Sequence, residues 1–269
     1  MVGVMIKPCL LALLTLTTSP VLALTQDDVL QASLLPGWRM QNGHQMAALH
    51  LVLAPHWKTY WRAPGQAGIP PDFDWSGSQN LKGVILHWPS PEVIVLNGMQ
   101  SIGYLDQLVL PLEIIPIDPA QPVDLDLAAT LGVCEDICLP ATIALQVSLS
   151  GNGQSVPMID AALADGPITG EAAGVTNLTC AVEPIADGLR LEARLTMPRQ
   201  GQPETMVVEV SDPDVWVAEA ASTRTSEVLT GITDLVPNSS APFVLDRSGV
   251  TVTVIGQDHS VEIKGCAAP

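Results

Sequence analysis

The chain has 269 residues, 47% of them apolar and only 14% charged, with 23 prolines and 21 glycines. That balance suits many short strands joined by tight turns better than long amphipathic helices. A net charge of -17 repels phosphate backbones and anionic lipid, which argues against binding to nucleic acid or to a membrane surface.

At the start of the chain, Lys7 precedes a mainly apolar run from Cys9 to Leu16, and Val21-Leu22-Ala23 supplies small residues for a signal peptidase. Residues 1–23 therefore read as a secretory signal. Cys9 would leave with it; it follows Ile6-Lys7-Pro8, not the small and aliphatic residues of a lipoprotein signal, so no lipid anchor is expected. Cleavage removes Lys7, takes the net charge from -17 to -18 and leaves about 246 residues, a length that fits two domains better than one. No later stretch reaches the ~18 consecutive apolar residues that a membrane helix needs. The mature chain is expected to be exported and not membrane-embedded. Its four cysteines, Cys134, Cys138, Cys180 and Cys266, form the even count that an oxidising compartment permits.

The first predicted domain covers 25–150. Trp38 to Gln41 and His44 to Ala54 flank Asn42-Gly43, a strong hairpin signal. On the second of these strands Ala47, Leu49, Leu51 and Leu53 share the expected core face, and His44, Met46, His50 and Val52 the other. Further strands are predicted at Val84 to His87, Leu108 to Ile115, Val123 to Leu131 and Ala141 to Leu149, with Pro111 marking an edge strand. Residues 151–174 are rich in Gly, Ala, Pro and Ser and read as a linker with one short helical turn around Met158 to Leu163. The second domain, 175–269, has predicted strands at Leu178 to Val182, Leu189 to Thr196, Met206 to Val210, Val215 to Ala218, Phe243 to Leu245, Val250 to Ile255 and Val261 to Ile263. The whole predicts an all-β fold of two immunoglobulin-like β-sandwich domains in tandem.

Between two of these strands lies the turn Gly132-Val133-Cys134-Glu135-Asp136-Ile137-Cys138-Leu139-Pro140. Its cysteines would face each other across a tight hairpin. A disulfide there closes almost no loop and would stabilise the fold by only ~2 kcal/mol, so redox chemistry is favoured over a simple staple. Thiol-disulfide exchange needs an accessible thiolate, a second thiol to resolve the mixed disulfide, and a cover against unwanted oxidation. Glu135 and Asp136 would disfavour a thiolate, unless they merely form a solvated turn. With no helix N-terminus or lysine nearby in sequence to activate the sulfurs, the pair is expected to act on demand with a specific partner. Cys180 and Cys266 stand on the first strand and just after the last strand of the second domain. Bridging them would enclose a long loop worth ~4 to 5 kcal/mol, the profile of a structural disulfide.

The series His56 to Gly65 (HWKTYWRAPG), Gly68 to Trp75 (GIPPDFDW), Trp88-Pro89-Ser90-Pro91, Gly103-Tyr104, Val109-Leu110-Pro111 and the Cys134 to Pro140 turn resembles the periplasmic N-terminal domain of the disulfide reductases DsbD and ScsB, the ScsB branch more closely. A two-domain exported region is similar to ScsB, whereas the DsbD equivalent is a single immunoglobulin-like domain. The resemblance implies a periplasmic relay in a Gram-negative bacterium. Cys134 and Cys138 would take electrons from a membrane donor of DsbD or CcdA type and hand them to a thioredoxin-like or disulfide isomerase protein. Because the sequence ends at Pro269, the expected donor is a separate membrane protein. The match at Cys138-Leu139-Pro140 carries to Cys138 the family's role of joining the partner in a mixed disulfide. Tyr60 and Trp61 are candidates for the family's aromatic wall around the sulfurs, with core packing as the alternative for Trp61. Phe73 and Trp75 are candidates for a lid, or local anchors. His56 is treated as structural.

No cofactor is expected, since phosphate loop, nucleophile elbow and zinc spacing are all missing. Two other readings stay open. His44, Met46 and His50 on one strand face offer imidazole and thioether to copper, and ScsB-like proteins are associated with copper tolerance. Alternatively the sandwiches are a non-catalytic adaptor that binds a protein.

Overall fold

The computed structural model describes residues 25–96, 98–239, 243–257 and 259–269; the expected signal, with Cys9, lies outside them. Among the described residues no helix is long and apolar enough to cross a membrane. The protein is nearly all β and forms immunoglobulin-like sandwiches.

In the first sandwich a short helix, α1 (Gln26–Val29), leads into ten strands: β1 (Leu30–Arg39), β2 (Gln45–Leu53), β3 (Lys58–Tyr60), β4 (Asp72–Asp74), β5 (Leu81–Leu86), β6 (Glu92–Leu96), β7 (Met99–Leu105), β8 (Gln107–Pro116), β9 (Val123–Cys134) and β10 (Cys138–Leu149). One sheet runs β1-β2-β8-β5; the other runs β10-β9-β3-β7-β6, with β4 also on β9. Period-two alternation sends Leu49 and Leu51 of β2, Leu110 and Leu112 of β8, and Leu125, Leu127 and Leu131 of β9 into one buried core. Each such side chain contributes roughly 1.5–3 kcal/mol by leaving water. The β1–β2 turn follows the Asn42-Gly43 signal, with Gly43 at φ 85°, a left-handed conformation that glycine takes without steric cost.

Pro111 does not mark an edge. Strand β8 lies between β2 and β5. The Pro111 carbonyl accepts from His87 N–H at 3.0 Å, just past the end of β5, so the missing proline N–H falls where the ladder has already stopped.

Residues 151–174 are more structured than a plain linker. They carry α2 (Pro157–Ala164), longer than the single turn expected, with proline at its start. Ile159 and Ala162 of α2 join Met46, Ala48 and Val109 in a small second cluster on the outer face of the first sheet.

The second sandwich contains β11 (Ile168–Thr169), β12 (Asn177–Pro184), β13 (Leu189–Thr196), β14 (Thr205–Val210), β15 (Val215–Val217), β16 (Ala221–Thr225), β17 (Val228–Pro237), β18 (Val250–Ile255) and β19 (Ser260–Lys264). Its sheets run β11-β19-β18-β14 and β12-β13-β17-β15, with β16 also on β17. The strand expected at Phe243 to Leu245 is not formed. Val244 is almost fully exposed there, and Asp246 instead caps a short 3-10 turn at Arg247–Gly249 through Ser248 N–H. Leu191, Leu195, Leu229, Leu235, Val252 and Val254 form a separate core.

The two sandwiches are joined by Arg62. Its Nε and Nη2 donate to Glu209 at 2.9 Å each, and Nη2 also donates to Glu262 at 2.7 Å. Its guanidinium lies over the Trp61 ring, 4.4 Å from the centroid.

Candidate functional site

The β9–β10 hairpin keeps one register from Val123↔Leu149 to Cys134↔Cys138, so the two cysteines are cross-strand partners at its mouth. They form a disulfide with Cα atoms 4.1 Å apart, and a second disulfide joins Cys180 to Cys266. Along β9 the odd positions Leu125 to Val133 point into the core. Even positions Asp124, Ala128 and Thr130 are outside, and Gly132 and Cys134 follow the same outward row. Yet Cys134 is only 1% exposed. Something covers this end of the outer face.

The cover is built from one strand and the loop after it. β3 pairs with the end of β9, Lys58 opposite Cys134 and Thr59 opposite Val133, and β4 rejoins β9 further back at Asp72↔Thr130. Residues 61–71 must therefore leave the edge of β9 and return to it. Tyr60 lies beneath this loop, and Gly132 makes the arrangement possible. A Cβ at 132 would stand 2.7 Å from Ile69 Cβ and 2.9 Å from Tyr60 Cδ2 and Cε2, distances that no real side chain tolerates. The Tyr60 hydroxyl donates to Cys134 Sγ at 2.9 Å and lies 3.5 Å from Cys138 Sγ and from Ala67 O. Burial raises the Tyr60 pKa, which keeps the phenol protonated as a donor. Cys138, by contrast, is exposed, beside Ile137 at 60% exposure. The two sulfurs are thus unequal: one is sealed and hydrogen-bonded, the other open to an incoming thiol.

The other expected site residues divide clearly. Trp61 is fully buried in the first core, because alternation turns it away from the face that Tyr60 occupies. Phe73 pairs with Ala129, an inward position, and stacks on Trp75 at 6.2 Å and near Trp88 at 6.3 Å. Both Phe73 and Trp75 pack against the core and not over the sulfurs. The cover is the Gly/Pro-rich loop before them. Glu135 and Asp136 are exposed in the turn. His56 holds its loop through a backbone N–H to Asp106 Oδ1 at 3.0 Å.

The copper row is not a chelating cluster. His44, just before β2, and His50 within it are six residues apart, ~20 Å at the usual strand rise. His44 Nδ1 contacts Glu113 Oε1 at 2.5 Å, Met46 is buried under α2, and His50 Nε2 is buried without a hydrogen-bond partner. Among the described residues no group of three His, Cys, Asp or Glu could hold a metal ion.

Sequence reasoning missed two residues. Gly132 carries no chemical signal, and its role emerges only from the ring stacked over it. Lys58 was in plain view, but 76 positions upstream of Cys134, and only the β3–β9 pairing sets it opposite that cysteine.

The first sandwich is thus an immunoglobulin-like domain with a covered cross-strand disulfide at one hairpin mouth. Residues 27–148 match the family profile described as "Thiol:disulfide interchange protein DsbD, N-terminal", and over that stretch the chain is similar to this domain of the thiol-disulfide interchange family. The chain is also similar to the crystal structure of the N-terminal periplasmic domain of ScsB from Proteus mirabilis, at 21% identity and a TM-score of 0.67, covering 92% of this chain and 96% of that one. No curated protein sequence matches the chain.

Proposed function

We propose that this protein is an exported, periplasmic thiol-disulfide relay. Its Cys134/Cys138 pair takes two electrons from a membrane reductase of DsbD or CcdA type and passes them to an oxidised thioredoxin-like or disulfide isomerase protein. The observation that carries the reading is the inequality of the two sulfurs: Cys134 buried under Tyr60, Cys138 exposed at the hairpin mouth. Exchange starts at the sulfur a partner can reach and releases the other. In this reading 1–23 is the signal, 25–150 the redox domain, 151–174 a connector braced by α2, 175–269 the second domain, and Cys180–Cys266 a structural bond.

A partner thiolate attacks Cys138 Sγ, a new S–S bond forms to the partner, and the Cys134–Cys138 bond breaks with its electron pair leaving on Cys134. The partner's second thiolate then displaces Cys138, leaving this protein reduced and the partner oxidised. Delivery to the acceptor runs the same steps in reverse.

Replacing Cys134 by Ser leaves Cys138 free to trap a thioredoxin-like protein covalently, and replacing Cys138 abolishes trapping. Non-reducing gels of periplasmic extracts, with the adduct identified by mass spectrometry, test both. Adducts that need Cys134 but not Cys138 would reverse the roles, and no adduct with either variant would favour the adaptor reading.

A further inference from the structure

The mechanism above leaves a negative charge on Cys134, the most enclosed sulfur of the site. Taking a thiolate out of water raises its pKa, and a poorly stabilised leaving thiolate slows exchange. The Tyr60 hydroxyl supplies one hydrogen bond, and a neutral donor alone is modest compensation. A cation in the right place would do more.

Lys58 is the cation that the strand pairing brings nearest in register. It is the direct cross-strand neighbour of Cys134, and side chains so paired have Cβ atoms ~4.5–5.5 Å apart on one face. The face is fixed by its neighbour. Tyr60, two residues on in β3, shares the face with Lys58 and touches Cys134 Sγ with its hydroxyl. Lys58 is 7% exposed, rare for a lysine without a partner, and among the described residues no carboxylate forms an ion pair with it. The neighbouring strands offer it none: Leu105 faces it from β7 and Cys134 from β9, and Cys138 lies beyond on β10. The nearby acids point elsewhere. Glu135 and Asp136 are exposed in the turn, and Asp106 accepts the His56 N–H. The remaining titratable groups around it are the Tyr60 phenol and the exposed His56 imidazole.

Resting on the relay reading, we propose that Lys58 is the counter-ion of the Cys134 thiolate, a positioning charge with no carboxylate partner among the described residues in the oxidised protein and paired with the thiolate in the reduced one. When a partner thiolate attacks Cys138, the electron pair of the broken S–S bond arrives on Cys134, opposite Lys58 on the neighbouring strand. In the second half of the cycle Cys138 attacks the acceptor's disulfide, and the Cys134 thiolate held by Lys58 displaces the acceptor from Cys138, reforming the disulfide. Lys58 gains and loses no proton in either step. It favours release of Cys134 as leaving group and keeps it ionised as resolving nucleophile, the local activation that no residue adjacent in sequence provides.

The test is a thiolate titration of Cys134 in the full protein carrying Cys138→Ser, read by ultraviolet thiolate absorbance with Cys180–Cys266 intact. With Lys58 present the thiol is expected to titrate below the free-cysteine value of about 8.5 despite its burial. Lys58→Met moves it up by about one unit or more, and Lys58→Arg restores it. A Cys134 at or above 8.5 with Lys58 in place overturns the proposal, whatever the variants do. So does a Lys58→Met titration curve that coincides with the one recorded with Lys58 in place, or an arginine variant that behaves like the methionine one. If Lys58→Met does not fold, Lys58→Gln carries the same comparison. No partner enters this measurement, so a failed trapping experiment would sink the relay and leave the counter-ion standing, and the reverse.

Discussion

The two disulfides sit in sandwiches of similar build and differ in loop length and exposure. Cys134 and Cys138 are 4 residues apart at a hairpin mouth already closed by a continuous ladder, and one sulfur is exposed. Cys180 and Cys266 are 86 residues apart and both buried, with Cα atoms 5.8 Å apart. Backbone bonds from Cys180 N–H to Ala267 O and from Ala267 N–H to Leu178 O tie the chain's end to β12, and the Arg247 guanidinium donates to the Cys180 carbonyl. A bond that closes a loop the ladder has already closed is nearly idle for stability and free for chemistry. One that ties the end of a domain to its first strand is not.

The strongest way to break this contrast is to remove each bond. Replacing Cys180 and Cys266 by Ala is expected to lower stability by about 4 kcal/mol, against less than about 2 kcal/mol for the same change at Cys134 and Cys138, from the loop lengths alone. Urea unfolding of the two double variants decides it, and equal losses would erase the distinction. Graded reduction with mass-spectrometric thiol labelling applies the contrast to the intact protein. The hairpin bond opens first, being exposed and weakly supported by loop entropy; simultaneous opening, or Cys180–Cys266 first, would show that the roles are misassigned.

A subtler change tests the cover alone. Gly132→Ala places a methyl group against Ile69 and the Tyr60 ring, and overpacking of this kind typically costs about 1–3 kcal/mol. The loop over the sulfurs should lift, speeding alkylation of Cys134 in the reduced protein several-fold while leaving the second sandwich's unfolding unchanged. An unaltered alkylation rate would mean that residues 61–71 are not what seals the site.

How much of this was legible in the sequence depends on strand length and on what faces inward. The β9–β10 hairpin could be read from its aliphatic flanks and the cysteine spacing, and β2 from the alternation of Ala47, Leu49, Leu51 and Leu53. Strand β17 could not. Its inward row is Leu229, Gly231, Thr233 and Leu235, where Gly231 makes room for Met206 and Thr233 donates to Ala218 O at 2.6 Å, so the apolar signal fails at the centre of the strand. β3 is three residues, Lys-Thr-Tyr, with no apolar pattern at all; it is a strand because β7 and β9 flank it. That explains why the sulfurs could be found and their surroundings could not. The family resemblance brought Tyr60 and Trp61 to the site together, but strand alternation splits adjacent residues between sulfur and core. It also pairs Tyr60 with Lys58, which nothing in the local sequence connects to cysteine chemistry.

The smallest expected effect separates the sandwiches by acid sensitivity. Glu113 on β8 receives His44 on one oxygen, 2.5 Å away, and His87 on the other at 2.9 Å, with Asn42 donating at 3.3 Å. The His44 hydrogen bond, opposed by burial and supported by His87 and Asn42, lowers the native pKa of this carboxylate. A depressed native pKa means that the unfolded chain takes up the proton first, so stability rises with pH across the interval between the two values. The contribution is full above the unfolded value of about 4.3 and is lost as pH falls through the lowered native one. Glu113→Gln removes that dependence. The variant should be less stable than the wild type by about 1 kcal/mol at pH 6 to 7, the scale of one intramolecular hydrogen bond, and the gap should close below about pH 4. The second sandwich, whose buried acid Glu204 is held by the Arg224 guanidinium, contains none of these groups, so its unfolding should follow the same course with pH in both proteins. A gap that stays constant from pH 7 to 3 would mean that Glu113 acts by shape and not by charge, and acid sensitivity would then no longer distinguish the two halves.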